Sequence, residues 1–256
     1  MMMAAMPMAV PSSCRSQRAR GESRHACRPE SEFRRRRCNV RSVENTAVAQ
    51  TSTAGDDRVE LGKSGVVVPA IGIGAWSWGD RSGYWGWSKE QEAQNKAALR
   101  RAVDLGIDFI DTAEVYGFGL SEELCGRFID ELEIRPAIAT KFAPLPWRLT
   151  REAVPQALRQ SLDRLQMGRL RNGLYMLHWP GFFLNAFSND EYIAGLMQCK
   201  TDGLCDAVGV SNFNADRIRR AVRTLGDAGI PLASNQVQVS SWLERVRELC
   251  LASAVE

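Results

Sequence analysis

The sequence predicts an α/β fold built from β-α units whose strands run parallel. From about residue 58, short apolar segments alternate with amphipathic segments of helical periodicity. Most of the apolar segments end in polar residues at intervals of about 30 residues, which is the length of one β-α unit. Because parallel strands connect through right-handed crossovers, such units form either a doubly wound sheet or a (β/α)8 barrel.

The elements follow in chain order. A Gly-Lys-Ser-Gly turn between two short β-rich segments predicts an N-terminal hairpin at 59–68, and a short buried strand is expected at 69–74. Further strands are expected at 107–111, 137–141, 174–178, 206–210 and 233–237, and helices at 89–105, 121–132, 151–166, 189–200, 215–228 and 242–254. Ser121 and Thr150 are expected to cap the second and third helices.

A Rossmann fingerprint is missing from the sequence, and this favours the barrel over the doubly wound sheet. No Gly-x-Gly-x-x-Gly sequence follows a predicted strand and opens a helix. The most similar segment, Ile71-Gly-Ile-Gly-Ala-Trp, leads into a loop rich in Trp and Tyr instead.

Residues 1–50 differ in composition from the rest of the chain. They hold ten Arg, no Lys and four Glu, whereas residues 51–256 hold 23 basic and 26 acidic residues. An acid-poor segment with Arg and Ser is typical of an organelle transit peptide, so we expect a disordered chloroplast transit peptide at 1–50, with import into the mitochondrion as the alternative. A disordered tail without a targeting role is a third interpretation. The barrel domain is then expected at 58–256.

The composition also excludes several classes of partner. Residues 51–256 are faintly acidic, which argues against nucleic-acid binding. The sequence contains no apolar run of about 18 residues, so it predicts no membrane span. The seven Cys are scattered without a Cys-x-x-Cys pair. We therefore expect neither a metal site nor a disulfide framework, and interpret the Cys of the body as buried thiols in a reducing compartment.

Polar residues at the predicted strand ends define a candidate site. Asp111, Lys141, His178, Asn212 and Gln236 each stand at or just after an apolar segment. Because the carboxyl ends of parallel strands meet at one rim of a barrel, these residues are expected to converge. Each also has an ordinary interpretation, such as a helix cap for Asp111, a structural ion pair for Lys141, or loop ties for the two amides.

Together with Tyr116, these side chains suit proton transfer to a carbonyl oxygen. A phenol has a pKa near 10, and the Lys141 ammonium beside it is expected to lower that pKa. Tyr116 could then donate a proton to a developing alkoxide, while His178 hydrogen-bonds the same oxygen and Asp111 orients Lys141.

The amides and the aromatic residues suggest what surrounds this reaction. Asn212 and Gln236 carry donors and acceptors suited to a carboxamide such as nicotinamide. An apolar mouth for a carbonyl substrate is expected from an aromatic set early in the chain. Its members are Trp76, Trp78, Tyr84, Trp85 and Trp87.

Five of these segments resemble motifs of the aldo-keto reductases. They are Asp111-Thr-Ala-Glu-Val-Tyr116-Gly, Ala139-Thr-Lys141-Phe, Leu177-His178-Trp-Pro, Gly209-Val-Ser211-Asn212-Phe and Ser234-Asn-Gln236-Val. The resemblance covers roughly residues 58–238. It implies a (β/α)8 barrel that uses NADP(H), without a metal, to reduce a small-molecule aldehyde or ketone. It implies catalytic roles for Asp111, Tyr116, Lys141 and His178, and cofactor contacts from Gly74, Ala75, Trp76, Ser211, Asn212 and Gln236.

The resemblance also predicts an incomplete barrel. Two further β-α units after Gln236 would need about 60 residues, which is more than follow it. We therefore expect about six units, without the C-terminal segment in which the family holds the 2′-phosphate of NADP. Two hypotheses follow: an NADPH-dependent carbonyl reductase with Tyr116 as proton donor, or a non-catalytic fragment or regulatory barrel subunit. The oligomeric state is left open.

Overall fold

The computed structural model describes residues 58–238. The strands are β1 Arg58–Glu60, β2 Val67–Pro69, β3 Ile73–Gly74, β4 Phe109–Asp111, β5 Ala137–Phe142, β6 Leu170–Leu177, β7 Cys205–Ser211 and β8 Leu232–Gln236. The helices are α1 Lys89–Asp104, α2 Leu120–Glu131, α3 Ala153–Arg164, α4 Asn189–Thr201 and α5 Ala215–Gly226. The expected transit peptide at 1–50 and the expected helix at 242–254 lie outside the described residues.

Strands β3 to β8 form one parallel sheet in which each strand lies beside its neighbour in the chain. A doubly wound sheet would reverse its strand order at a switch point. No reversal occurs between β3 and β8, so the described residues form part of a (β/α)8 fold, as the sequence predicts. The register sets Asp111 beside Ala139, and Lys141 beside Met176.

The alternation of side chains along each strand separates two apolar clusters. One face of β5 carries Ala137 and Ala139, which belong to a small inner cluster with Leu174 and Met176 of β6. The other face packs against the helices. This helix-side core includes Ile138, Phe142, Leu124, Phe128 and Leu158.

The hairpin lies at the amino end of the sheet. Strands β1 and β2 pair antiparallel, with Val59 beside Val68, which confirms the predicted hairpin. Val66 and Val68 are buried in the inner cluster. The side chain of Asn172, on β6, donates to Val67 O at 3.1 Å. The hairpin thus covers the end of the sheet opposite to the carboxyl ends of its strands.

Three local predictions, one about strand length and two about helix caps, were wrong. The buried strand expected at 69–74 is reduced to the two residues of β3, and Ile71 is 68% exposed. Ser121 does not cap α2, whose N-cap is Gly119 in the left-handed conformation. Its hydroxyl donates instead to Ala75 O at 2.8 Å, which fastens α2 to the segment after β3. Glu152, rather than Thr150, is the N-cap of α3.

The described residues also bear on the expected thiols and on membrane spans. Cys125, Cys199 and Cys205 are buried free thiols, and Cys250 lies outside the described range. No helix within 58–238 combines the length and the apolar character needed to cross a membrane.

Candidate active site

The predicted catalytic residues converge at the carboxyl ends of β4, β5 and β6. Asp111 ends β4, Lys141 is the penultimate residue of β5, and His178 directly follows β6. Lys141 lies two residues after Ala139 and His178 two residues after Met176, so both continue the inner face of the sheet. The period of two along each strand therefore directs these side chains into the same interior.

Lys141 is the centre of this cluster. Its side chain is 1% exposed, and Nζ donates to Asp111 Oδ1 at 2.7 Å and to Thr112 O at 2.8 Å. A third, longer contact of 3.5 Å reaches the hydroxyl of Tyr116. An ammonium has three donors, so this set of neighbours uses its whole capacity. The ion pair with Asp111, one of the two interpretations of Lys141, is present together with the contact to the phenol.

Tyr116 is carried by a tight turn after β4. The three residues that follow it, Gly117, Phe118 and Gly119, all have positive φ, of 56°, 57° and 95°. A Cβ on Gly117 would lie 2.5 Å from Gly79 O, so glycine is required where this turn meets the loop after β3. The turn places the Tyr116 ring 5.5 Å from the ring of His178, nearly perpendicular to it.

The electrostatics of Tyr116 differ from the sequence-based prediction. Burial raises the pKa of Tyr116 well above its usual value, and the negative charge of Asp111 raises it further. Burial also lowers the pKa of Lys141, against the opposing effect of Asp111. The net pKa of the phenol is therefore raised, and not lowered as the sequence predicts. Tyr116 keeps its proton at physiological pH, which is the state that a proton donor needs.

His178 is neutral. Burial, with a smaller contribution from the Lys141 charge, lowers its pKa to about 3. Its Nδ1 is shielded from solvent and has no hydrogen-bond partner within residues 58–238. Leaving a buried ring nitrogen without a hydrogen-bond partner costs about 1–3 kcal/mol. The Nδ1 atom of His178 is therefore available for a hydrogen bond to a further group. A neutral imidazole can donate one N–H to a carbonyl oxygen at this position.

The predicted amide site lies at the ends of β7 and β8. Ser211 Oγ and Asn212 N donate to Gln236 O at 2.8 and 3.0 Å. Asn212 Nδ2 donates to His178 O at 2.9 Å, which joins this site to the catalytic cluster. In the described part of the chain, Asn212 Oδ1 and the side-chain amide of Gln236 form no hydrogen bond. One acceptor and one complete amide therefore stay available, and this donor set fits a carboxamide.

Gly74, Ala75 and Trp76 connect β3 to the same rim. Ala75 is fully buried, and its N donates to Asp111 O at 2.8 Å. A Cβ added to Gly74 would meet no atom of residues 58–238 within 4 Å. Trp76 is 60% exposed, and its ring lies 6.3 Å from that of Tyr116. Gly74 and Trp76 thus reach the rim, whereas Ala75 belongs to the core.

The aromatic mouth is smaller at β3 than the sequence predicts. Trp78 is 3% exposed and packs 5.4 Å from Phe128, and Trp87 is partly buried against the same core. Trp78 was therefore wrongly placed at the mouth. A loop between two elements has no periodicity that distinguishes a buried tryptophan from an exposed one. Trp76, Tyr84 and Trp85 are exposed, and the Trp85 ring lies 5.9 Å from that of Trp76 and 5.0 Å from that of Tyr84.

Sequence reasoning missed two further features of this rim. Large apolar side chains are exposed on the loops after β5 and β6, at Trp147, Phe183, Leu184 and Phe187. The run Phe182-Phe-Leu, one residue after Leu177-His-Trp-Pro, was the available signal for them. The second feature is an ion pair between Glu114 and Arg148. Glu114 lies inside the Asp111–Tyr116 motif, but no pattern identifies its partner 34 residues away.

Comparison with known proteins identifies the family. A model of the Aldo/keto reductase family matches residues 70–255. The chain belongs to the aldo/keto reductase family. It is 38% identical over 183 residues to the chloroplastic pyridoxal reductase of Arabidopsis thaliana, a match that covers 68% of this chain and 49% of the relative. It is 31% identical over 172 residues to the methylglyoxal reductase YeaE of Escherichia coli, covering 67% and 55%.

A solved structure supports the same assignment. An aldo/keto reductase from Klebsiella pneumoniae, in complex with NADP and acetate, aligns with a TM-score of 0.57 and 31% identity, over 73% of this chain and 62% of that one. This aldo/keto reductase chain spans about half the length of the curated relatives that it matches.

Proposed function

We propose that this aldo/keto reductase reduces an aldehyde or ketone to an alcohol with NADPH, and that Tyr116 is the proton donor. The proposal is carried by one observation: the Lys141 ammonium is buried between the Asp111 carboxylate and the Tyr116 hydroxyl. The family supports the general class of reaction, while the assignment of individual residues rests on this geometry.

Each member of the cluster has a distinct task. Tyr116 passes its hydroxyl proton to the substrate oxygen as negative charge develops there. Lys141, 3.5 Å from the phenol oxygen, stabilises the negative charge that Tyr116 acquires as the proton leaves. Asp111 is a positioning residue that holds Lys141. His178, which stays neutral, donates an N–H to the same substrate oxygen and orients the carbonyl.

The amide site supports the proposed cofactor. The Klebsiella relative is solved with NADP, and Asn212 and Gln236 have the free donor and acceptors that a nicotinamide carboxamide needs, next to Ser211. Gly74 and Trp76 would border the cofactor at the end of β3. NADPH, when bound, supplies the hydride for the reduction.

Targeting and domain organisation belong to the same proposal. We propose that residues 1–50 are a transit peptide and that 58–256 form the reductase domain. The name of the Arabidopsis relative supports the chloroplast as the destination. Fusion of residues 1–57 to a fluorescent protein tests this: accumulation in plastids is expected, and accumulation in mitochondria or the cytosol would reject it. A small-molecule carbonyl is the proposed substrate, and nucleic acid is not a proposed partner.

The activity is tested with the full chain and a matched pair of variants. NADPH oxidation is measured against a panel of small aldehydes and ketones for wild type, Tyr116→Phe and Tyr175→Phe. The last variant removes a phenolic hydroxyl that donates to Val154 O on the helix side. We expect Tyr116→Phe to lower turnover by about 10²–10⁴-fold and Tyr175→Phe to retain it. A folded wild-type chain that neither oxidises nor binds NADPH would instead support the non-catalytic alternative.

A further inference from the structure

A second buried ion pair lies next to the catalytic cluster and takes no direct part in the proposed reaction. The side chain of Glu114 is 7% exposed and that of Arg148 is 19% exposed. Arg148 Nη1 donates to Glu114 Oε1 at 2.5 Å, and Nη2 donates to Oε2 at 3.1 Å. Such a two-pronged pair fixes orientation as well as distance.

The pair is also bonded to the backbone that leaves β5. Ala143 N donates to Glu114 Oε1 at 2.6 Å, and Arg148 Nη1 donates to Ala143 O at 3.0 Å. The guanidinium lies 5.0 Å above the ring of Phe142, and Arg148 O accepts from Tyr192 OH. We call Glu114, Arg148 and the Ala143 backbone the rim clasp. It holds one carboxylate, one guanidinium and one peptide group in a fixed arrangement.

The rim clasp lies close in the chain to both Tyr116 and Lys141. Glu114 lies two residues before Tyr116, and Ala143 lies two residues after Lys141. The clasp therefore joins the two chain segments that carry the proposed proton donor and the ammonium beside it. The Asp111–Lys141 ion pair restrains only the end of β4, five residues before Tyr116.

The turn that carries Tyr116 is strained, so it needs such a restraint. Phe118 has a φ of 57°, a conformation that non-glycine residues rarely adopt, and it lies between two glycines that also have positive φ. Its side chain is 85% exposed and gains little from packing. Strained backbone persists where surrounding contacts over-determine it, and the rim clasp fixes the chain two residues before Tyr116.

We propose that the rim clasp positions Tyr116 against Lys141 and thereby controls the rate of proton transfer. Glu114 and Arg148 are positioning residues, and this inference rests on the proposed function of Tyr116. Loss of the clasp is expected to let the Tyr116 hydroxyl move away from Lys141 Nζ. A displacement of about 1 Å at reacting groups can cost roughly 100-fold in rate.

An exposed ion pair nearby provides the matched control. Arg151 and Glu191 form the same two-pronged contact, at 3.0 and 3.3 Å, with side chains 51% and 44% exposed. Arg151 lies only three residues after Arg148, but its pair joins the segment before α3 to α4 and does not contact the turn that carries Tyr116. The control thus removes the same chemistry without the link to the site.

The first experiment measures kcat and KM of the full chain for wild type, Glu114→Gln, Arg148→Lys and Glu191→Gln. We expect Glu114→Gln to lower kcat by about 10–100-fold with KM changed by less than about threefold. Arg148→Lys keeps the charge but not the two-pronged geometry, so an intermediate loss is expected. Glu191→Gln should stay within about twofold of wild type. A purely structural role would lower the melting temperature and leave kcat per folded molecule unchanged, and that result would overturn the proposal.

The second experiment reads Tyr116 without requiring turnover. In the chain labelled with ¹³C-tyrosine, Tyr116→Phe assigns the Tyr116 signal by NMR, and its chemical shift near neutral pH is compared between wild type and Glu114→Gln. A changed chemical shift for Tyr116, with the Tyr175 signal unchanged, supports the clasp even if the wild type shows no NADPH turnover, so the two proposals can fail separately. Signals identical to wild type would reject it. If Glu114→Gln does not fold, Arg148→Lys takes its place.

Discussion

Two neighbouring residues of β5, Thr140 and Lys141, take part in two different buried ion-pair systems. Lys141 points to the inner face of the sheet and pairs with Asp111. Thr140 points to the helix side and donates to Glu122, which pairs with Arg164. The two systems are one residue apart in sequence and lie on opposite faces of the same strand.

The two ion pairs differ in which member is buried and in how close their hydrogen-bond contacts are. On the helix side Glu122 is fully buried, Arg164 is 24% exposed, and both carboxylate oxygens have close donors, at 2.5 and 2.7 Å. On the inner face Lys141 is the buried member, Asp111 is 21% exposed, and the contact to Tyr116 is longer, at 3.5 Å. The Glu122–Arg164 pair, in which both carboxylate oxygens have close donors, connects α2 to α3. The Asp111–Lys141 pair has a longer third contact, to Tyr116, and can therefore respond to a reacting group.

The largest expected effect follows from removal of the inner charge. Lys141→Met should lower NADPH-dependent reduction by about 10²–10⁴-fold, because the developing charge on Tyr116 loses its counter-charge. The free energy of unfolding should change by less than about 2 kcal/mol, because the Asp111 carboxylate that loses its partner is 21% exposed and can be solvated. Parallel rate and urea-unfolding measurements test both parts. Activity within tenfold of wild type would contradict the role given to Lys141.

Removal of the outer cation should have the opposite profile. Arg164→Met leaves the Glu122 carboxylate buried without a counter-charge, and we expect a loss of about 3–5 kcal/mol in the free energy of unfolding. The kcat per folded molecule should change by less than about threefold. Arg159→Met, on the exposed side of the same helix, is the control and should cost less than about 1 kcal/mol. Equal losses for the two variants would show that burial of Glu122 is unimportant.

A smaller effect is expected from the hydroxyl next to Lys141. Thr140→Val removes the donor to Glu122 Oε1 and should lower the free energy of unfolding by about 1–3 kcal/mol, without a change in kcat. Thr201→Val, which removes an exposed hydroxyl bonded to Met197 O, is the matched control. Thermal or urea unfolding measures the difference. A loss of kcat in Thr140→Val would mean that the two faces of β5 are not independent.

The smallest expected effect is the pH dependence contributed by His178. Its pKa is about 3 in the folded chain, whereas an unfolded His titrates near 6.5. Below about pH 6.5 the unfolded state binds a proton that the folded state does not, so this residue makes stability fall as the pH falls. Between pH 6.5 and 5.5, wild type should lose about 1 kcal/mol more than His178→Gln. An equal loss in both proteins would place a charged His178 in the folded state.

The convergence of Asp111, Lys141 and His178 could be predicted from the sequence because it follows from topology. Apolar segments of strand length, separated by one β-α unit each, bring their carboxyl ends to one rim whatever the details of packing. The same periodicity gave most strands to within a few residues. The five described helices were also predicted to within two residues at each end. Helix caps were less accessible, because a hydroxyl such as that of Ser121 can bond to a distant carbonyl instead of its own helix.

Properties that depend on burial could not be obtained from the sequence. The direction of the pKa shift of Tyr116 was mispredicted because desolvation, and not the adjacent ammonium, has the largest effect in the folded chain. Trp78 was misplaced because nothing in a loop sequence indicates that it packs on Phe128. The Glu114–Arg148 pair joins two loops, and its partners are selected by the three-dimensional path of both.

The adjacency of Thr140 and Lys141 also affects the register that β5 adopts during folding. A slip of β5 by one residue would exchange its two faces. Lys141 would then enter the apolar helix-side core that contains Phe128 and Leu158, and Thr140 would lie opposite Asp111. An unpaired ammonium in such a core is too costly to persist. The consecutive polar residues Thr140 and Lys141 thus disfavour the shifted register of β5, and a misaligned strand is short-lived.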